Sequence, residues 1–319
     1  MTVHHEAFGP DYERASMLTA VNTRTGTLVF DPATLSQALS ALEARISGQF
    51  ELVSGDDADP MSTITQATYL TWHRSRASDV ARLTHMLTEV STDAAPLNSF
   101  LARHGFDPMF HEIPQGGLGA AAILDMLVEW AVPASVSRLS SLGTVYRAFE
   151  IPSSGIDVFT YPHSEELLVK LDTTDGGAVW LSMIDRPAMP AFDMLRFADS
   201  RMRNRDEVSQ FRAQIKSVII PTLEISQEAD LSWMLGAHNG DHTIDQARQM
   251  VKLRMNEEGA RVKAASILGT MRGISLARPF VFDRPFMGWF TQPNSDIPIG
   301  IFWADRDSWK TPQGALADL

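Results

Sequence analysis

Val251-Lys252-Leu253-Arg254-Met255-Asn256-Glu257-Glu258-Gly259, running into Ala260-Arg261-Val262-Lys263-Ala264-Ala265-Ser266, sets the architecture of the whole chain. Its first five residues alternate apolar and basic side chains, the pattern of a strand with one buried face. Small residues dominate from Gly259 to Ser266, and after Gly269-Thr270-Met271-Arg272-Gly273 the chain reaches a second apolar segment at Phe280-Val281-Phe282. A connection of roughly 25 residues is long for a compact domain, and such connections are usually functional or disordered. This one is neither proline-rich nor charge-dense, so plain disorder explains it poorly.

Two periodicities fit the connection. In period 2, Ala260, Val262, Ala264, Ser266, Leu268 and Thr270 form one uncharged face, while Arg261 and Lys263 share the other. In period 3.6, Ala260, Ala264, Ile267, Leu268 and Met271 make an equally good helical stripe. Periodicity leaves surface helix and insertable strand both open.

Arg254-Met255-Asn256-Glu257-Glu258-Gly259 before small residues resembles the hinge of the serpins, and Phe280-Val281-Phe282-Asp283-Arg284-Pro285-Phe286 resembles the strand that follows their reactive loop. Ile220-Pro221-Thr222-Leu223-Glu224-Ile225, with Asp230-Leu231 and Leu235-Gly236, is similar to the family's segment before the hinge, and Ile244-Asp245-Gln246-Ala247 to its lead-in. Val29-Phe30-Asp31-Pro32-Ala33-Thr34-Leu35-Ser36-Gln37-Ala38-Leu39 resembles its "x-F-S-P-x-S-L-x-x-A-L" helix. The resemblance implies an α+β, serpin-like fold over one domain spanning 1–319, with helices mainly in the N-terminal half and an exposed reactive loop at about 257–279.

It also implies a function: the loop is bait for a serine protease, cleaved to an acyl-enzyme and then inserted as an extra strand. The hinge would comprise Glu257, Glu258, Gly259, Ala260, Val262, Ala264 and Ser266, and the scissile bond would fall near Arg272, Gly273 and Ile274. Arg272 would suit a trypsin-like protease. The chain departs from the family in several places. It is short, Arg261, Val262 and Lys263 replace threonine or small residues, and Ala304 replaces an expected glycine. The "N-x-x-x-F-K-G-x-W" region has only a faint candidate at Thr144-Val145-Tyr146-Arg147-Ala148-Phe149-Glu150. Alternatives are a binding or carrier protein of the same fold, or an enzyme using a pocket in it.

Composition narrows the partners. The 27 basic and 39 acidic residues give a net charge of −12, which argues against general affinity for nucleic acid or anionic membranes. With no cysteine, disulfide and thiolate chemistry are excluded. Met1-Thr2-Val3-His4-His5-Glu6 shows no signal pattern, and no apolar run approaches the ~20 residues of a membrane span. The expectation is a cytoplasmic protein, secreted if a leader has been removed.

Along the chain, Asp31-Pro32 predicts a capped helix through Leu35, Leu39, Leu42 and Ile46, ended by Gly48. Ile64 to Trp72 reads as a strand, Val80 to Val90 as a helix, and Pro96 to His104 as a short helix. Gln115-Gly116-Gly117-Leu118-Gly119 has the spacing of a dinucleotide turn but not its context. It reads instead as a loop opening a helix with Ile123, Leu124, Leu127 and Trp130 inward. Leu167–Leu171 and Ala178–Ile184 flank a hairpin turn. Its aspartates lack a full calcium ligand set. Arg196, Arg201, Arg203, Arg205 and Arg212, interleaved with acids, read as a solvated surface. Val218–Ile225, Val251–Met255, Phe280–Phe290 and Ile297–Trp303 are further strands. His238, Asp241 and His242 could ligate zinc or do acid–base work, but no third protein ligand is identifiable and a polar loop explains them as well. No cofactor is expected.

Overall fold

The computed structural model describes residues 26–53, 59–160, 166–204, 206–207, 215–260 and 278–312, with backbone alone at 206, 207 and 260. In chain order it runs β1 (Leu28–Phe30), α1 (Pro32–Ile46), α2 (Pro60–Val80), β2 (Met86–Ser91), α3 (Ala94–Arg103), β3 (Gly119–Leu124) and β4 (Val128–Glu129). Then come β5 (Ser135–Ser141), β6 (Thr144–Pro152), β7 (Ile156–Thr160), β8 (Leu167–Asp172), β9 (Ala178–Ser182), α4 (Pro190–Arg203) and β10 (Asp206–Glu207). The last part holds β11 (Ile215–Pro221), β12 (Leu223–Ala229), β13 (His238–Asn239), β14 (His242–Thr243), β15 (Gln249–Met255) and β16 (Gly259–Ala260). β17 (Arg278–Val281), β18 (Phe286–Thr291) and β19 (Ile299–Ala304) complete it.

The largest sheet has seven strands in the order β1-β19-β18-β9-β8-β7-β10, every neighbouring pair antiparallel. Its heart is continuous apolar sequence: Ala178-Val179-Trp180-Leu181-Ser182 and Phe286-Met287-Gly288-Trp289-Phe290-Thr291 are buried at every position. A four-stranded sheet, β17-β11-β6-β5, carries β17 at its edge, parallel to β11. β12–β15 and β2–β3 form separate two-stranded antiparallel ladders.

α1 starts as its sequence predicts. Asp31 accepts from Ala33 N at 3.1 Å and Pro32 takes the first position. Its end differs: the left-handed residue is Ser47, at φ 56°, and the glycine comes one place later. Ile64–Trp72 is not a strand but the middle of α2. Asp59 caps that helix by accepting from Ser62 N at 2.8 Å, and Thr65, Gln66, Tyr69, Leu70, Trp72, His73 and Val80 fall on its buried side. The β-favouring Thr, Tyr and Trp there imitate alternation, while the cap and a 3.6-residue face decide the outcome. Val80–Val90 is likewise not a helix. α2 ends at Val80, His85 takes a positive φ of 63°, and β2 begins at Met86.

The Gly-rich stretch opens a strand rather than a helix. β3 lies between α3 and α1, so its small side chains are covered on both faces and their weak strand propensity is overridden. Gly119 packs closely there: a Cβ would fall 2.6 Å from Leu97 Cδ1 and 2.8 Å from Ile113 Cδ1, so those side-chain ends would have to shift. Trp130 is buried as expected, though from an extended segment. Val218–Ile225 and Phe280–Phe290 each divide into two strands, β11 and β12, and β17 and β18. The hairpin of β8 and β9 forms as predicted, with Asp175 Oδ1 accepting from Thr173 Oγ1 and Gly177 N.

Candidate functional site: a hinge above an open sheet

At the end of β15 the chain makes a tight turn. Asn256 N donates to Gly259 O at 3.0 Å, Gly259 N returns a bond to Asn256 O at 3.3 Å, and Glu258 N donates to Asn256 Oδ1 at 2.8 Å. The chain therefore reverses within two residues, and Gly259–Ala260 pairs antiparallel with Val128–Glu129 as β16. β16 thus lies between the end of β15 and β4. Gly259 is the residue this geometry demands: its φ is +138°, and a Cβ would sit 2.4 Å from Val128 O.

The turn is held from two sides. Trp130, just past β4, donates its indole N–H to Asn256 O at 2.9 Å and stacks on Phe149 of β6 at 5.6 Å and 17°. Arg147 of β6 pairs with Glu257. β4 is backed on its far side by the hairpin turn, through Thr174 N to Glu129 O at 2.9 Å and Ala131 N to Asp172 O at 2.9 Å.

Below the turn, β3 and β15 do not pair. Each belongs to a two-stranded ladder, and both line a groove of about 690 Å³. Leu35, Ala38, Leu39 and Leu42 of α1 line the same groove. In an antiparallel pair every other backbone N–H and C=O points away from the partner, so β3 and β15 each turn toward the groove an edge that ladders with no other described strand, over an apolar base.

Gln249, the first residue of β15, ties that strand to α1. Its Oε1 accepts from Asp31 N at 2.8 Å, and its Nε2 donates to Asp31 O at 2.7 Å and to Thr34 Oγ1 at 2.9 Å. Burial pushes the Asp31 carboxyl above its usual range, against bonds from Ala33, Gly300 and Thr34 that favour the charged form. Gln249 was legible in principle: extending the inward parity of Val251, Leu253 and Met255 by two residues places a polar amide inside the sheet.

Of the sequence-predicted hinge, Glu257, Glu258, Gly259 and the Ala260 backbone are brought together at this turn. Val262, Ala264, Ser266, Arg272, Gly273 and Ile274 lie outside the described residues. The far end of the predicted loop joins β17, from which Phe280, Phe282, Phe286 and Phe302 form a chain of aromatic contacts at 5.1–6.2 Å into the core. Thr144–Glu150, the faint tryptophan-motif candidate, lies in β6. The tryptophan that meets the hinge is Trp130.

His238 and His242 belong to the small β13–β14 ladder, where His238 faces Thr243 and Asn239 faces His242. Alternation therefore turns the two imidazoles to opposite faces, with Asp241 exposed in the turn. Among the described residues, no group of three or more His, Asp or Glu side chains is placed to hold a metal. No described helix is long and apolar enough to cross a membrane.

No protein-family model matches the chain, and no curated protein does. Solved structures do. Serpin48, a highly specific serpin of the insect Tenebrio molitor, superposes with a TM-score of 0.57 at 13% identity, covering 90% of this chain and 93% of that one. The thermophilic serpin tengpin, in its native state, gives 0.56 at 10% identity over 90% of both chains. Thyroxine-binding globulin in complex with thyroxine gives 0.52 at 11% identity, over 88% of this chain and 92% of that one. The chain carries the serpin fold, in the α+β class.

Proposed function

We propose that this protein is a serpin-type inhibitor whose reactive loop, once cut by a serine protease, inserts into the groove between β3 and β15. The observation that carries this reading is β16: Gly259 and Ala260 already run antiparallel to β4, beside the end of β15. A strand continued in the same direction would bring Val262, Ala264 and Ser266 inward, opposite Leu253, Val251 and Gln249. It would hydrogen-bond to both unpaired walls. Backbone satisfaction of two edges at once is the driving force, since exposed strand edges are templates for a further strand.

The chemistry belongs to the attacking protease. Its serine forms an acyl-enzyme with the loop near Arg272, Gly273 or Ile274, and insertion then carries that ester across the molecule. From Ala260 to Gly273 an inserted strand would span ~46 Å at ~3.3 Å per residue. Translation of that size distorts the attached protease and stops deacylation. An arginine at 272 favours a trypsin-like target.

The fold alone does not select this reading, because thyroxine-binding globulin shares it. Incubation with trypsin-like proteases tests it. An inhibitor gives a covalent complex that survives SDS, with cleavage mapped to 272–274. Turnover of the loop as a plain substrate, with no complex across a panel of serine proteases, would contradict it.

A further inference from the structure

β2 is an interior strand by its cover and an edge by its pairing. Its odd residues, Leu87, Glu89 and Ser91, stand opposite Ile123, Ala121 and Gly119 of β3. Ala121 and Ile123 pack with Leu97 and Phe100 of α3. On the other face Met86 and Leu124 stand opposite each other and pack on the main core, and α1 contacts both strands. Along its outer side, however, β2 pairs with no described strand.

Nothing in the strand guards that side. Its ladder to β3 is regular from Met86 to Ser91, with no bulge to twist the edge away. Met86-Leu87-Thr88-Glu89-Val90-Ser91 contains no lysine, arginine or proline, and its one charge is Glu89. Leu87 is 41% exposed. A regular, unguarded edge of this composition is a template for another strand.

A second copy of this chain fits the edge by two-fold symmetry. Directly opposed residues of an antiparallel pair share a face, so the axis must pass between one residue and its own copy. Only centres at Thr88 and Glu89 overlap the strand over all but one of its residues. Centring on Glu89 sets two carboxylates against each other, which disfavours pairing. Centring on Thr88 pairs it with the Thr88 of the second copy, Met86 with Val90, and Leu87 with Glu89. The two Leu87 side chains then become diagonal neighbours, within reach of each other across the new ladder.

We propose that the protein forms a two-fold dimer through β2, joining the β2–β3 ladders of two copies into one antiparallel sheet centred on Thr88. The dimer is independent of loop insertion, since it uses the side of β2 that faces away from the groove.

The test uses the full chain at about 0.15 M salt, where the charge of −12 on each copy is largely screened. Light scattering up to about 100 µM is expected to show a dimer that dissociates on dilution. The chain has no other cysteine, so Thr88→Cys is expected to cross-link to its own copy under mild oxidation. Ser91→Cys is not, because its two copies would lie about 20 Å apart along the strands. Leu87→Lys alters an exposed position, so its melting temperature is expected to stay near that of the wild type while the dimer dissociation constant rises roughly tenfold or more. A chain that stays monomeric at the top concentration would overturn the proposal, whether the Met86–Ser91 amides exchange freely or are protected by something else. So would a dimer indifferent to Leu87→Lys, or one in which Ser91→Cys cross-links as readily as Thr88→Cys.

Discussion

Trp130 donates its indole N–H to the carbonyl of Asn256 at 2.9 Å, joining the end of β4 to the first residue of the Asn256–Gly259 turn. The bond closes the top of a groove across which no described strand pairs β3 with β15. Trp130→Phe keeps the stack on Phe149 and removes the bond. The expected outcome is a loss of about 1 kcal/mol in urea unfolding, together with faster proteolysis between Glu257 and Ala260.

Gln249 satisfies both backbone groups of Asp31, which is 4% exposed. Gln249→Leu conserves volume and strands the buried N–H of Asp31, while Asp31 O keeps Leu35 N at 3.5 Å and Thr34 Oγ1 at 3.3 Å. Stability is expected to fall by about 1–3 kcal/mol, the cost of one unsatisfied buried donor. Because the same amide holds β15 to α1, amide hydrogen exchange along Met250–Met255 is expected to accelerate more than the global loss accounts for.

Gly259 has no room for a side chain. Gly259→Val would drive Cβ into Val128 O and force a β-branched residue to a φ of +138°. The intact protein is expected to lose about 1–3 kcal/mol. The discriminating readout comes after loop cleavage, when this variant gains little or no melting temperature because the first step of strand pairing is blocked.

Arg76 of α2 gathers Asp79, Asp199 and Asp296, tying α2, α4 and the turn after β18 together. Burial works against ionisation of Asp296, but the hydrogen bond and charge of Arg76 outweigh it and hold the carboxyl below its usual range. A depressed carboxyl contributes stability above its unfolded pKa and loses it as pH falls through the lower folded value. Asp31 has the opposite sign: raised by burial, it binds its proton more readily when folded, so protonation there favours the native state as pH falls through its raised value toward the unfolded one. Asp296→Asn is therefore expected to flatten the acid limb of the stability profile, measured by denaturant titration between about pH 2 and 6.

Much of the fold was legible in the C-terminal third because its strands are either one-sided, as at Val251–Met255, or apolar throughout, as at Phe286–Thr291. Val251-Lys252-Leu253-Arg254-Met255 can satisfy its parity only as a strand, and Asp31-Pro32 can hardly be anything but a helix start. The middle was opaque for physical reasons. Ala120-Ala121-Ala122 has helix-forming residues forced into a strand by coverage on both faces, a tertiary effect that no local window contains. Ile64–Trp72 carries strand-favouring residues in a helix decided by its cap at Asp59. At the turn after β15, the resemblance singled out Glu257 and Gly259 from their order and spacing. Trp130 could not be read in this way, since it matters through a bond to a residue 126 positions away, and for Gln249 parity gives the inward amide but not its partner 218 positions away. The polar group at His238 and His242 looked clustered in sequence, yet the ladder parity separates the two rings.

The most direct test of strand insertion is the melting temperature of the protein before and after a single cleavage within 261–277. Insertion predicts that the cleaved protein, both fragments retained, melts far above the intact one, because two unpaired edges have gained a strand between them. A cleaved protein that melts at or below the intact temperature would contradict the account, whatever the protease used.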